Sequence, residues 1–354
     1  MIQLASGDKM TIEFNYGVNN IVVNNTYKYE VGDIDNALKS MDFTISYLNN
    51  ELLEIFFKQG MKFGIFRVID KYKPKIDEVN FFLKYPNENF IREYLKTAIK
   101  LNMIYIEDGI LKLNHDMKIT VGHPEYDKFM EDYAISYDYI CTMSKYALIG
   151  YNHPKILLDF KKDVDIWDMI LNTSYLKTCR NIVAEYLNLQ NGDYVLDVGC
   201  GSRSPEFYIP KILPKGVYTG IDISYKLLKI AETRTNRWNN GCISLKAMDF
   251  SEAIIKNKYD YVICTYTLKY VSQVNLYLKK MMDALHSGGK LFIAEEFFKD
   301  CTKVNVELFE FYNKLNKYFK GYSSKKEIIS FLESQGYDFK HNSLSDGVLI
   351  IEKK

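Results

Sequence analysis

The residues able to do chemistry sit at the ends of short apolar runs. Tyr194-Val-Leu-Asp-Val198 stops abruptly in Gly199-Cys200-Gly201, as a buried strand does when it enters a tight loop, where glycine permits backbone angles that other residues resist. Such a loop lets a ligand lie against the main chain at the carboxyl edge of a sheet, where open α/β folds bind ligands. A Gly-x-Gly alone is weak evidence, but the device repeats. Val217-Tyr-Thr-Gly-Ile-Asp222 ends in an acid 21 residues beyond Gly201, where a carboxylate can accept both hydroxyls of a ribose lying over the loop. Ser244-Leu-Lys-Ala-Met-Asp249-Phe250 is a third such end. There the acid can accept the exocyclic amine of adenine while the ring packs near the base.

Elements must hold these ends side by side. From Gly192 onward apolar runs at 194–198, 217–222, 243–248, 259–264 and 290–295 alternate with helical patterns at 205–213, 224–238 and 274–285. Alternation of this kind predicts an α/β fold with a mostly parallel, doubly wound sheet. A helix from Ser324 to Gln335 and a strand from Val348 to Glu352 follow, the strand pairing antiparallel near the sheet edge.

The amino-terminal half reads differently. Residues 1–35 carry short strand patterns with Gly and Asn turns and no functional signal. Apolar residues recur at helical spacing from Asp35 to Gln59, with Gly60 as the expected stop. Two short helices follow, at 63–70 and 76–84, and then a strongly amphipathic helix that Asn87 caps. Asp108-Gly109 between two β-like runs signals a hairpin, because a type I′ turn needs positive φ at both positions. Three helices and a hairpin are the order of a winged helix. Residues 121–192 are helical and rich in tyrosine, and connectors of this kind commonly line ligand clefts.

Composition excludes several function classes. The 354 residues have a formal net charge of +1, and residues 1–120 hold 15 Lys and Arg against 16 Asp and Glu. This domain therefore lacks the electrostatic footprint of a nucleic-acid binder. Six cysteines form no Cys-x-x-Cys pair and have no His at zinc spacing, so they read as reduced thiols of a cytoplasmic protein with no metal. No signal peptide is expected from the polar amino terminus, and no run approaches the ~18 apolar residues of a membrane span.

The ordered motifs from about residue 165 onward resemble the class I methyltransferases that use S-adenosylmethionine. The resemblance gives a Rossmann-like fold and makes Asp197, Gly199, Cys200 and Gly201 the cofactor loop. It also makes Asp222 with Ile223 the ribose end and Asp249 with Phe250 the adenine contact, and brings Cys264 and Met169 to the cofactor. Leu268-Lys-Tyr-Val to Ser287-Gly288-Gly289 matches the spacing of the segment after the fourth strand and its turn. Arg203 stands where the family often has a third glycine, and nothing in the sequence accounts for it. A dinucleotide dehydrogenase fits less well, since the loop lacks its third glycine.

With a winged-helix domain in front, the chain is similar to two-domain small-molecule O-methyltransferases. That similarity implies a dimerisation domain at 1–120, a helical linker lining the cleft at 121–190 and a cofactor domain at 191–354. It implies a homodimer acting on a small aromatic or hydrophobic acceptor, with oxygen favoured and nitrogen or carbon open. Plant-type members carry His-Asp-Trp where this chain has Lys269-Tyr270-Val271, so the usual histidine base is absent. His153 in the linker and Tyr270 after the fourth strand are the candidate catalytic residues. A winged-helix regulator with a cofactor-sensing domain, and methylation of RNA or protein, are the alternatives.

Overall fold

The computed structural model describes residues 33–116, 130–150, 159, 161–238, 241–255 and 258–354. Helix α1 (Ile34–Lys62) starts where the Asp33 carboxylate accepts the Asp35 amide, 2.9 Å away. It runs through Gly60 rather than stopping there. A Cβ on Gly60 would lie 2.3 Å from the Tyr94 hydroxyl and 2.7 Å from the Phe66 ring. That glycine therefore serves a close approach inside a helix, and local propensity gave way to packing. Helices α2 (Ile65–Tyr72) and α3 (Val79–Leu83) are short, and α4 (Glu88–Lys100) carries Asn87 as its N-cap, accepting the Phe90 amide at 3.1 Å. Strands β1 (Ile104–Glu107) and β2 (Ile110–Leu113) pair antiparallel across Asp108 and Gly109, whose φ of 50° and 75° make the expected turn.

Helices α5 (Glu131–Ala147), α6 (Val164–Leu171) and α7 (Ser174–Tyr186) lead to the sheet. In chain order the sheet half then comprises β3 (Tyr194–Val198), α8 (Ser204–Ile212), β4 (Val217–Asp222), α9 (Tyr225–Thr235), β5 (Ile243–Ala247) and β6 (Tyr259–Thr265). It continues with α10 (Val274–Ala284), β7 (Leu285–Ala294), α11 (Val306–Asn313), α12 (Lys325–Ser334), β8 (Phe339–Ser345) and β9 (Val348–Lys353). The strand order is β5-β4-β3-β6-β7-β9-β8, with β5 to β7 parallel and β9 antiparallel to both its neighbours. The order reverses between β3 and β6, which is the switch point where such sheets bind ligands. Strand β9 and helix α12 fall where the sequence places them; β8 and α11 are additional.

Both faces of the central strands are buried, and the pleat sorts their side chains. Val195, Ile263 and Phe292 face one apolar cluster, while Leu196, Val262 and Leu291 face the other, with Leu278, Met281 and Leu332 of α10 and α12. The first cluster continues without a break into the amino-terminal helices. Phe311 of α11 packs edge-on against Phe56 of α1, whose ring stacks on Tyr94 of α4 at 4.1 Å. Gln59 of α1 bonds Ser144 of α5 (2.9 Å) and accepts the Tyr312 hydroxyl of α11 (3.1 Å). This continuity joins α1, α4, α5, α7 and α11 to one face of the sheet in a single core.

Candidate active site

At the end of β3 the chain turns through Gly199 and Gly201, with φ of 75° and 57°. A side chain at Gly199 would place its Cβ 2.0 Å from Thr267 Oγ1, and one at Gly201 would lie 2.8 Å from Leu171 Cδ1. Both positions need glycine for backbone angle and for space. The loop is then tied to the next strand end, because Asp222 accepts the Gly201 amide at 2.9 Å and the Ser224 amide at 2.7 Å. Burial raises the Asp222 carboxyl above its ordinary value and these two hydrogen bonds work against that. Asp249 at the end of β5 accepts the Ser251 amide and the Tyr277 hydroxyl, each at 2.8 Å. Burial opposes ionisation there, but these bonds and Lys280 outweigh it and lower the carboxyl. Phe250 is buried with its ring 5.1 Å from that of Tyr277.

These parts line one cavity of about 330 Å³. Gly199, Cys200, Gly201, Asp222, Ile223, Asp249, Phe250 and Tyr270 all reach it, so the structure brings most of the sequence-derived site together. Asp197, Cys264 and Met169 are not among its lining residues. Asp197 is fully buried beneath the loop, where its carboxylate accepts the Tyr218 hydroxyl at 2.6 Å and burial pushes its pKa up to about 7. Cys264 is enclosed in β6, and Met169 is 62% exposed on α6. His153 lies outside the described residues.

The neighbour of Met169 does what the sequence did not show. Asp168 accepts Nε and Nη2 of Arg203 (3.0 and 2.6 Å), Nη1 and Nη2 of Arg234 (2.6 and 2.8 Å) and the Ser202 hydroxyl (2.6 Å). Burial works against this carboxylate, but the hydrogen bonds from Arg234, Ser202 and Arg203 hold it well below the usual range. Arg203 thus pins helix α6 to the glycine loop. Local sequence carries no signal for a pairing that spans 35 residues.

Helix α5 and the loop after β6 also line the cavity. Lys269, 6% exposed, donates to Glu296 at 2.7 Å, and the second Glu296 oxygen accepts the hydroxyls of Tyr133 (2.9 Å) and Tyr137 (3.2 Å). The rings of Tyr266 and Tyr270 flank the ammonium, with centroids 5.6 and 5.5 Å away. Burial opposes the charge, yet Glu296 and the surrounding hydroxyls outweigh it and raise Lys269 well above its ordinary value. Tyr266 has a φ of 51°, an unusual angle for a bulky residue and one that clusters at functional sites. Burial pushes Tyr270 up to about 12, so its hydroxyl stays protonated at neutral pH. Glu295, buried beside this loop, accepts the Leu268 amide at 2.6 Å and is pushed up to about 7 by burial.

Comparison with known proteins accords with this geometry. A methyltransferase-domain family profile matches residues 196–291. The protein of known structure titled CurJ carbon methyltransferase superposes with a TM-score of 0.56 at 12% identity, covering 89% of this chain and 91% of that one. The demethylmenaquinone methyltransferase of Staphylococcus carnosus is 24% identical over 189 residues, 52% of this chain and 77% of its own. Strand order, glycine loop and strand-end acids together define an S-adenosylmethionine-dependent methyltransferase. Within that class the chain belongs to the family of the uncharacterized protein MJ0906 of Methanocaldococcus jannaschii. The two are 49% identical over 333 residues, which cover 94% of this chain and 91% of the other.

Proposed function

We propose that the enzyme transfers the methyl group to a small aromatic or hydrophobic acceptor, with oxygen the favoured acceptor atom. One observation carries this reading: the cavity runs from the Asp222 and Asp249 strand ends to a wall of tyrosines around Lys269. S-Adenosylmethionine supplies a sulfonium-activated methyl when bound. Asp222 holds its ribose, Asp249 and Phe250 its base, and the glycine loop admits its backbone-side approach. Asp197 supports that loop from below, Cys264 backs it within the sheet, and Met169 belongs to the linker helix over it. The reaction then needs chiefly alignment and exclusion of water, both of which a closed tyrosine wall supplies. Lys269 donates to an acceptor oxygen and Tyr270 positions the ring. Carbon is the second reading for the acceptor atom. The name of the CurJ carbon methyltransferase favours it, and an ammonium that holds an enolate oxygen suits carbon attack equally.

Residues 1–120 are proposed as a winged-helix dimerisation domain, 121–190 as the linker over the cleft and 191–354 as the cofactor domain, within a cytoplasmic homodimer. Six free cysteines suit a reducing compartment. Among the described residues no helix is long and apolar enough to cross a membrane, and no cluster of His, Cys, Asp or Glu suits a metal. Binding of DNA by α4 is disfavoured because its cations are paired, Arg92 with Asp77 (2.8 Å) and Lys96 with Glu93 (3.0 Å).

The test is incubation with methyl-labelled S-adenosylmethionine and panels of phenols, hydroquinones, enols and amines. Label should move to a phenol, hydroquinone or enol, and transfer confined to amines, RNA or protein would overturn the reading. In that assay His153→Ala losing less than about tenfold in turnover removes it as a base, since such bases contribute ~10²–10⁴.

A further inference from the structure

A second cavity, of about 590 Å³, adjoins the first. Val271, Ser272 and Lys320 line both. Ser272 and Lys320 are exposed, so the shared wall is a rim that a ligand can cross and not a closed partition. The Lys320 amide donates to the Lys269 carbonyl at 2.8 Å, which ties that rim to the residue assigned to the acceptor oxygen. From Lys269 to Ser272 is three steps of chain, at most ~11 Å. A molecule whose reacting end lies at Lys269 therefore reaches the second cavity with a substituent of modest length.

The lining says which substituent fits. Val274 and Leu278 recur at helical spacing on α10, and Ile328 and Phe331 do so on α12, giving two apolar walls. Leu278 and Ile328 are fully buried, and Val274 and Phe331 pack against the same apolar cluster. Next to the rim, no atom of the described residues lies within 4 Å of a Cβ built on Gly321, so the space there is open. The charges around the cavity balance. Lys299 and Lys320 stand against Glu310 and Glu327, with Lys299 and Glu327 3.5 Å apart. Such a lining has no net charge to attract a phosphate or carboxylate. An uncharged apolar chain is its match.

We propose that the second cavity holds an apolar chain carried by the methyl acceptor, an alkyl or isoprenoid substituent on its ring or enol. This role rests on the acceptor reading given above. The chain crosses the rim at Ser272 and lies between α10 and α12, while the reacting end stays against Lys269 and the tyrosines. Burial of the chain then selects the acceptor by length and holds its reacting end in place.

Initial rates with methyl-labelled S-adenosylmethionine test this on phenol, hydroquinone and 1,3-diketone heads, each without a chain and with butyl, octyl and dodecyl chains. For a head that is methylated, KM should fall at least ~30-fold from the chainless to the octyl member, since each buried methylene tightens binding. Asn275 of α10 is exposed and lines the second cavity alone. Asn275→Trp should bring the octyl KM back to within about threefold of the chainless one, and Asn275→Ala should keep the gain. Turnover and KM of the chainless acceptor should stay within about twofold of wild type in both variants, which also shows that they are folded. Ser323→Trp repeats the test from the segment between α11 and α12. A KM that ignores chain length, or a gain that survives both Trp variants, would overturn the role and leave the acceptor reading in place. Wild-type protein that binds S-adenosylhomocysteine but methylates none of the three heads would contradict the acceptor reading, and the role with it.

Discussion

At the residue scale, the glycine loop leaves little latitude. Gly199→Ala combines a left-handed φ of 75° with a Cβ 2.0 Å from Thr267 Oγ1. It should cost about 1–3 kcal/mol in denaturant unfolding and weaken cofactor binding, because the loop must shift; unchanged stability would contradict the close approach. Asp197 gives a pH test. Its pKa rises from 3.8 to about 7 on folding, so the folded state binds the proton more tightly. Its contribution is full below the unfolded value and lost as pH rises between the two. Asp197→Asn should therefore gain stability relative to wild type as pH rises from 4 to 8 across that shift. A difference that does not vary with pH would contradict the buried carboxyl. Asp222, Asp249 and both glycines were legible in the sequence because strand ends carry them. Lys269 was not, since what makes it notable is its burial against Glu296 and two tyrosine rings brought together from separate parts of the chain.

At the scale of elements, helix α6 is a second clamp on the loop, beside Asp222. Asp168 holds Arg203, Arg234 and Ser202 from 34 to 66 positions away, which explains why Arg203 was opaque in the sequence. Asp168→Ala leaves two guanidinium groups without this partner and should cost about 2–3 kcal/mol. The carboxyl is lowered on folding, so its contribution is present above the ordinary carboxylate range and lost as pH falls through and below it. Wild type should lose stability faster than Asp168→Ala on acidification; parallel acid limbs in urea melts at several pH values would show the clamp to be idle. The alternating strands and helices were readable from period alone. Strand β8 was not, because most of its residues are exposed and polar at the sheet edge, and α11 was hidden in an aromatic run that packs across to α1 and α4.

At the scale of the whole molecule, one apolar cluster spans the amino-terminal helices and one face of the sheet. Unfolding should therefore be a single transition in calorimetry, and two separated transitions would show independent units. The sequence divides the chain into segments by changing periodicity, but periodicity does not show which faces meet. That is why the tyrosine wall, assembled from α5 and the loop after β6, was foreseen only as an aromatic linker. Sedimentation at micromolar concentration should give a species of about twice the 41.4 kDa chain mass, and a monomer would remove the proposed dimerisation role of residues 1–120.

The central claim is that Asp222, next to the glycine loop, holds the ribose of S-adenosylmethionine in this cavity. Isothermal titration of wild type and Asp222→Ala with S-adenosylhomocysteine addresses it directly. Wild type should bind with a single site per chain, and Asp222→Ala should bind at least ~30-fold more weakly while its thermal unfolding remains cooperative. Equal affinity in the two folded proteins would contradict the account.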